Sequence, residues 1–138
     1  MTLEVVTPER VTHNLTVNAL VVPTVDGYIA IWGNHAPLIT ALGVGVMWYR
    51  DQAGVRGPEN TFAVSSGFLE VLDNKLSVFA ETVERGDEVD LERAIASRRR
   101  AEERLRKRST EIDVERAQLA LAKAIARIRA TGGHLAGD

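Results

Sequence analysis

From Asp87 to Ala130 the chain contains no glycine, no proline and no aromatic residue. All seven aromatics and all four prolines lie before Gly86. The stretch after it is mostly Ala, Leu, Ile, Arg and Glu, the residues that lose least conformational freedom on entering a helix. A chain built this way predicts two unlike parts: a turn-punctuated β body over residues 1–86 and a helical arm over residues 87–138. The body can bury a modest core, and the arm can hardly do so alone.

Within the body, short β-branched runs recur between turn signals: 3–6, 15–24, 28–31, 44–50, 61–65, 68–71 and 75–81. Asp26-Gly27 supplies the positive φ of a tight turn, and Asp73-Asn74 before Lys75 reads as a short hairpin. Asp51 to Asn60 reads as a longer hairpin loop. Strands packed this densely, with no helical period between them, predict an antiparallel β-sandwich. The expected core is Val5, Leu20, Val22, Ile29, Ile31, Leu38, Val46, Phe62, Val64, Phe68, Val71, Leu76 and Val78. Leu76, Val78 and Ala80 alternate with Lys75, Ser77 and Phe79, which leaves Phe79 on the polar side.

In the arm a seven-residue pattern occurs twice, Glu88-Val89-Asp90-Leu91-Glu92-Arg93-Ala94 and Glu111-Ile112-Asp113-Val114-Glu115-Arg116-Ala117. Each copy puts an Asp before an apolar residue and clusters acids in one turn, which suits a helix N-terminus. Two helices follow, over about 90–107 and 113–130, with Ser109-Thr110 in the turn. Leu91, Ile95, Ala101 and Leu105 stripe the first; Val114, Ala117, Leu121, Ile125 and Ile128 stripe the second. Such narrow seams predict an antiparallel hairpin with close, alanine-lined contact. Each helix would be about 27 Å long. With so few large apolar residues, the hairpin needs the body or another protein to cover it, so an arm with two positions is expected.

Charge divides the same way. Residues 1–86 carry nine acids and five bases, and residues 87–130 carry nine acids and twelve bases. The slight basicity of the arm suits acidic partners, and nucleic-acid binding is not expected, because the arm has no aromatics for stacking. With no cysteine, disulfide and thiolate chemistry are excluded. The opening MTLEVVTPER shows no basic or apolar leader, so no signal peptide is expected. The run Pro37 to Tyr49 falls short of the roughly 20 apolar residues of a membrane span.

These elements, in this order, resemble a family: the epsilon subunit of the bacterial and chloroplast F-type ATP synthase. The resemblance runs through Thr7-Pro8, Asn34-His35-Ala36-Pro37-Leu38-Ile39-Thr40-Ala41-Leu42, Ser66-Gly67-Phe68-Leu69-Glu70-Val71, and Glu84-Arg85 followed by Val89-Asp90 and Arg93-Ala94. In two places the body departs from the pattern. Gly27-Tyr28-Ile29-Ala30-Ile31-Trp32-Gly33 stands where Gly-x-Leu-Gly-Ile-x-Pro is usual, and Ser66 replaces a common glycine.

The resemblance implies a non-catalytic subunit of the central stalk in a proton-translocating synthase. The body would bind the gamma subunit and rest on the rotor ring of c subunits. The arm would reach the alpha/beta head when extended, hindering ATP hydrolysis, and release it when folded back. The protein would sit on the cytoplasmic face of the bacterial plasma membrane, held there only through the complex. Tyr28, Trp32 and His35, in the loop Asp26 to Pro37, are the candidate ring contacts; ordinary loop-end residues are the competing reading.

No cofactor is required on this analogy, but some members bind ATP between the arm and the body as a regulatory ligand. Carried over position by position, the ATP candidates are Glu84, Val89, Asp90, Arg93, Ala94, Arg100, Lys123 and Arg127. Val89 replaces Ile or Leu. Lys123 replaces an Arg, keeping charge but losing the planar fork that grips phosphate. Because the Asp-x-x-Arg-Ala string recurs at Asp113 to Ala117, the string alone marks a helix start. Lys123 and Arg127 share a helical face, which suits two phosphates or plain solvent. The clusters Arg98-Arg99-Arg100 and Arg106-Lys107-Arg108 likewise fit an acidic partner or a solvated face.

Two other classes compete. An enzyme lacks support: no nucleophile triad, metal spacing or phosphate loop is present, and His13, His35 and His134 read as surface or loop residues. A β-sandwich that displays a helical hairpin to an unrelated protein partner remains the alternative.

Overall fold

The computed structural model describes residues 1–54, 57–107 and 111–132, the side chain of Ile112 excepted. Among these residues eight strands form the body: β1 (Thr2–Val6), β2 (Val11–Thr16), β3 (Ala19–Thr24), β4 (Gly27–Trp32), β5 (Leu38–Leu42), β6 (Gly45–Arg50), β7 (Thr61–Leu72) and β8 (Lys75–Arg85). Two helices follow, α1 (Leu91–Lys107) and α2 (Glu111–Thr131). The architecture is the expected one, an antiparallel β-sandwich followed by a helical hairpin. One pairing breaks the rule: β1 runs parallel to β8.

The strand order is β2-β1-β8-β7-β5-β3-β4, with β6 bridging β3 and β7. Strand β7 holds the layers together, pairing β6 through Thr61–Val64 and β5 through Gly67–Val71. To serve both, it changes phase at Ser66–Gly67, where both residues have positive φ. Phe62 and Val64 face the core before the break, Leu69 and Val71 after it. Ser66 holds φ 41°, a region that disfavours any side chain.

That phase change corrects the expected core. Phe68 is 43% exposed, and Leu69 takes its place inside. Phe68 instead stacks on Phe79 outside the sheet, centroids 4.7 Å apart, which explains why Phe79 broke the alternation of β8. Ile29 and Leu38 are only partly buried at the core's margin. Val46 is buried, but under α2 rather than inside the sandwich. The remaining nine expected positions lie in the interior.

Strand boundaries also differ. The run 15–24 is two strands, split by a turn at Val17–Asn18, and 61–65 with 68–71 is the single strand β7. β5 was hidden because its turn-side neighbour Pro37 and its mixed pattern, Leu-Ile-Thr-Ala-Leu, obscure the period of two. The Asp73–Asn74 hairpin forms as expected, both residues in the left-handed region.

His13, on β2, sets its ring edge-on against buried Phe62, centroids 4.9 Å apart. Burial, then the Arg85 charge, lowers its pKa below 6.5, with Arg10 acting the same way and Glu88 opposing. The folded body therefore takes up this proton later than the unfolded chain as pH falls. Stability should be full above pH 6.5 and decline as pH drops through that value. Denaturant midpoints on either side of pH 6.5 should show the decline, and His13→Gln should flatten it.

The arm folds back on the body. Ala94 and Ala101 on α1, seven residues apart, and Ala117 and Ala124 on α2, also seven apart, are fully buried. Two turns of helix bring such residues to one face, so small side chains line the helix–helix seam. The larger members of the expected stripes flank it: Leu91 is exposed, and Ile95, Leu105, Val114, Leu121, Ile125 and Ile128 are half-buried. A second alanine face of α2, Ala126 and Ala130, packs with Val46 and Ala63 on the outer side of β6 and β7. Ser109 and Thr110, the expected turn, lie outside the described residues.

Candidate functional site

A cleft of about 350 Å³ opens beside α2, between the helix and the outer face of β7 and β8. It is lined by Ala63, Val64, Ser65, Thr82, Val83, Glu84, Lys123, Ala126 and Arg127. Arg127 reaches across it to Glu84: Nε donates to Oε1 at 2.6 Å and the terminal nitrogen to Oε2 at 3.5 Å. Both side chains are about one-third exposed, so solvent screens the pair and holds its contribution to roughly 1 kcal/mol. Ser65 and Thr82, cross-strand partners, share a hydroxyl–hydroxyl hydrogen bond on the cleft wall.

Three of the eight ATP candidates, Glu84, Lys123 and Arg127, thus meet in one place. The other five do not line the cleft. Val89 follows the 3-10 turn Gly86–Glu88. Asp90 caps α1, its Oδ1 accepting from the Arg93 backbone N–H at 3.1 Å. Arg93 is exposed and Ala94 is sealed in the helix seam. Arg100 donates to Ser97 Oγ at 3.0 Å on the exposed side of α1. Asp90 thus serves as the helix cap that the string's recurrence suggests.

The other basic groups are partly tied down on α1. Arg98 pairs with Glu102 at 3.2 Å and Lys107 with Glu103 at 3.9 Å, each one turn apart. Arg108 and His134 lie outside the described residues. Tyr28, Trp32 and His35 do not form one cluster. Tyr28 is the second residue of β4 and Trp32 its last, roughly 13 Å away along the strand. His35, in the following turn, is exposed with Nδ1 2.7 Å from the Ala36 carbonyl oxygen. That turn is moored to the β7–β8 hairpin, the Asn34 N–H donating to Asn74 Oδ1 at 2.9 Å.

A second surface was not anticipated. Cross-strand register aligns Ala41, Phe68, Phe79, Val6 and Val11 in one row over β5, β7, β8, β1 and β2. Phe68 and Val11 are exposed, and Ile39 beside Ala41 is 71% exposed. A cleft of about 460 Å³ runs along the row between Pro8 and the Phe68–Phe79 stack. Only the register of four strand pairs assembles it, so no local window of sequence shows it. Among the described residues no cluster of His, Asp and Glu could hold a metal ion. No described helix is long and apolar enough to cross a membrane.

Comparison with known proteins now settles the lineage. Residues 1–86 match the β-sandwich domain of the ATP synthase delta/epsilon chain, and residues 87–132 match its long α-helix domain. The chain belongs to the ATP synthase delta/epsilon family. It is 49% identical over 129 residues to the ATP synthase epsilon chain of Syntrophomonas wolfei, covering 94% of this chain and 92% of that one. Identity to the epsilon chain of Symbiobacterium thermophilum is 42% over 133 residues, covering 96% and 93%. A chain in the Euglena gracilis mitochondrial ATP synthase OSCP/F1/c-ring structure shares the fold, with TM-score 0.79 at 17% identity, covering 94% and 79%. The chain is therefore an epsilon subunit of the F-type synthase.

Proposed function

We propose that this epsilon chain is a non-catalytic part of the rotor, its body docked on the gamma subunit and the c-subunit ring, its arm a brake on ATP hydrolysis. Held through these partners, it works at the cytoplasmic face of the plasma membrane. The observation that carries the docking half is the outer surface of the sandwich. Its β6–β7 side is covered by the chain's own α2, whereas the row through Phe68 and Phe79 has no cover among the described residues. Exposed apolar patches of this kind are where partners bind. A tagged chain should recover gamma from its own cell membranes; recovery of an unrelated protein instead would favour the adaptor reading.

The braking half rests on how lightly the arm is held. Among the described residues, alanines packed on Val46, the screened Arg127–Glu84 pair and a close crossing of the Gly86 backbone over the Ala130 carbonyl keep α2 on the body, so the docked and extended forms differ by a few kcal/mol. A nucleotide fits this scheme as a regulatory ligand in the Glu84–Lys123–Arg127 cleft. Its phosphates would take Arg127 from Glu84 and add Lys123. ATP bound only to the docked form adds about 2.7 kcal/mol at a hundredfold excess over Kd, enough to shift the population.

Calorimetry of the purified chain with ATP should show saturable one-to-one binding that Arg127→Ala loses. No heat at millimolar ATP would remove the nucleotide and leave a brake set by the rotor and head alone.

A further inference from the structure

We infer that the Tyr28 hydroxyl holds the floor on which the arm docks, coupling the β3–β4 hairpin tip to the arm's position. The inference rests on the two-position arm proposed above, and on a local defect in the sheet. Strand β6 pairs with β3 through Ala19–Arg50, Leu20–Tyr49 and Val21–Trp48. Continuing that register brings Pro23 opposite Val46, and there the ladder fails. Proline has no N–H to give, and the Pro23 carbonyl instead accepts from the Gly43 N–H at 3.0 Å.

The Val46 N–H, left without a strand partner on that side, donates to Tyr28 Oη at 3.2 Å. Gly45 makes room for the phenol. A Cβ there would lie 2.6 Å from Tyr28 Oη and 3.0 Å from Pro23 Cβ. On the same residue, the Val46 side chain is packed with Ala63, Ala126 and Ala130, the contact that seats α2. An orphaned, part-buried N–H is costly, so Val46 keeps its place only while Tyr28 keeps its own.

Tyr28 is also reachable from outside. It is 40% exposed and follows the hairpin tip Val25–Asp26, where Val25 is 66% exposed. A partner that draws this tip away from β6 withdraws the hydroxyl, loosens Val46 and frees the arm. Tyr28 is in this sense a positioning residue: it acts on the arm through Val46.

The test uses the full chain, which has no native cysteine to interfere with labelling. Gln52→Cys and Gln118→Cys carry a fluorescent pair that reports the body–arm distance, and exchange of the Val46 amide is followed by NMR. In Tyr28→Phe, Val46 should exchange about tenfold faster and the docked-to-extended ratio should fall about three- to tenfold. Gly45→Ala, which displaces the same hydroxyl, should shift both readouts in the same direction. Gly86→Ala provides the independent control for arm release.

If Gly86→Ala opens the arm while Tyr28→Phe leaves the ratio at the wild-type value, the coupling is refuted, whether or not Val46 exchange changes. If even Gly86→Ala leaves the arm docked, the two-position arm fails and the inference goes with it.

Discussion

Replacing Gly86 with alanine is expected to empty the folded-back position of the arm. A Cβ at this position would sit 2.1 Å from the Ala130 carbonyl oxygen and 2.8 Å from that of Pro58. Both are backbone atoms, so no change of rotamer relieves the overlap. Either the last turn of α2 or the Gly86–Glu88 turn must move. Little resists the movement of α2, because its seat on the sheet is made of Val46, Ala63, Ala126 and Ala130. The docked fraction should fall more than tenfold, the ratio that about 1.4 kcal/mol commands. A body–arm distance measurement on the labelled chain checks this, and an unchanged distance would contradict an arm with two positions.

The second large effect is on partner binding. Phe68→Glu should weaken binding of the purified gamma subunit by a hundredfold or more, the range expected when an aromatic anchor is lost and a charge is left facing an apolar partner surface. The variant should still fold, because Phe68 is 43% exposed and stands outside the core cluster. Titration of gamma against wild-type and variant chains, with circular dichroism as the fold control, reads the effect. Unaltered affinity would move the docking surface elsewhere on the body.

Both predictions depend on relations between strands that the sequence shows only in part. The break at Gly86 was visible because helix-breaking residues vanish beyond it, a local property. The arm's close, alanine-lined contact was visible for the same reason, since Ala101 and Ala117 fall at helical spacing within their own segments. Phe68 was misplaced because a strand's inward face follows from its phase, and β7 changes phase at Ser66–Gly67, where both residues have positive φ. The apolar row is beyond local reading altogether, since Val11, Val6, Phe79, Phe68 and Ala41 meet only through pairing.

The candidate nucleotide site divides along the same line. Lys123 and Arg127, four apart on one helix, were readable as neighbours. That Glu84 faces them depends on α2 lying over β6 and β7 beside β8, and that Ser65 and Thr82 complete the wall depends on the β7–β8 register. Gly86 carried a signal, as the last glycine before the helices, but it marked a boundary rather than a contact. Its crossing with Ala130 joins residues far apart in the chain, which no periodicity records.

The most direct test compares ATP hydrolysis by the assembled synthase carrying the full chain with that of the enzyme carrying a chain ended after Gly86. Among the described residues the body's core cluster contains no helix residue, so the shortened chain should fold and still hold gamma. The account predicts intact assembly and faster hydrolysis. Equal hydrolysis by the two enzymes would contradict the arm as a brake, and loss of gamma from the shortened complex would contradict the division of labour between body and arm.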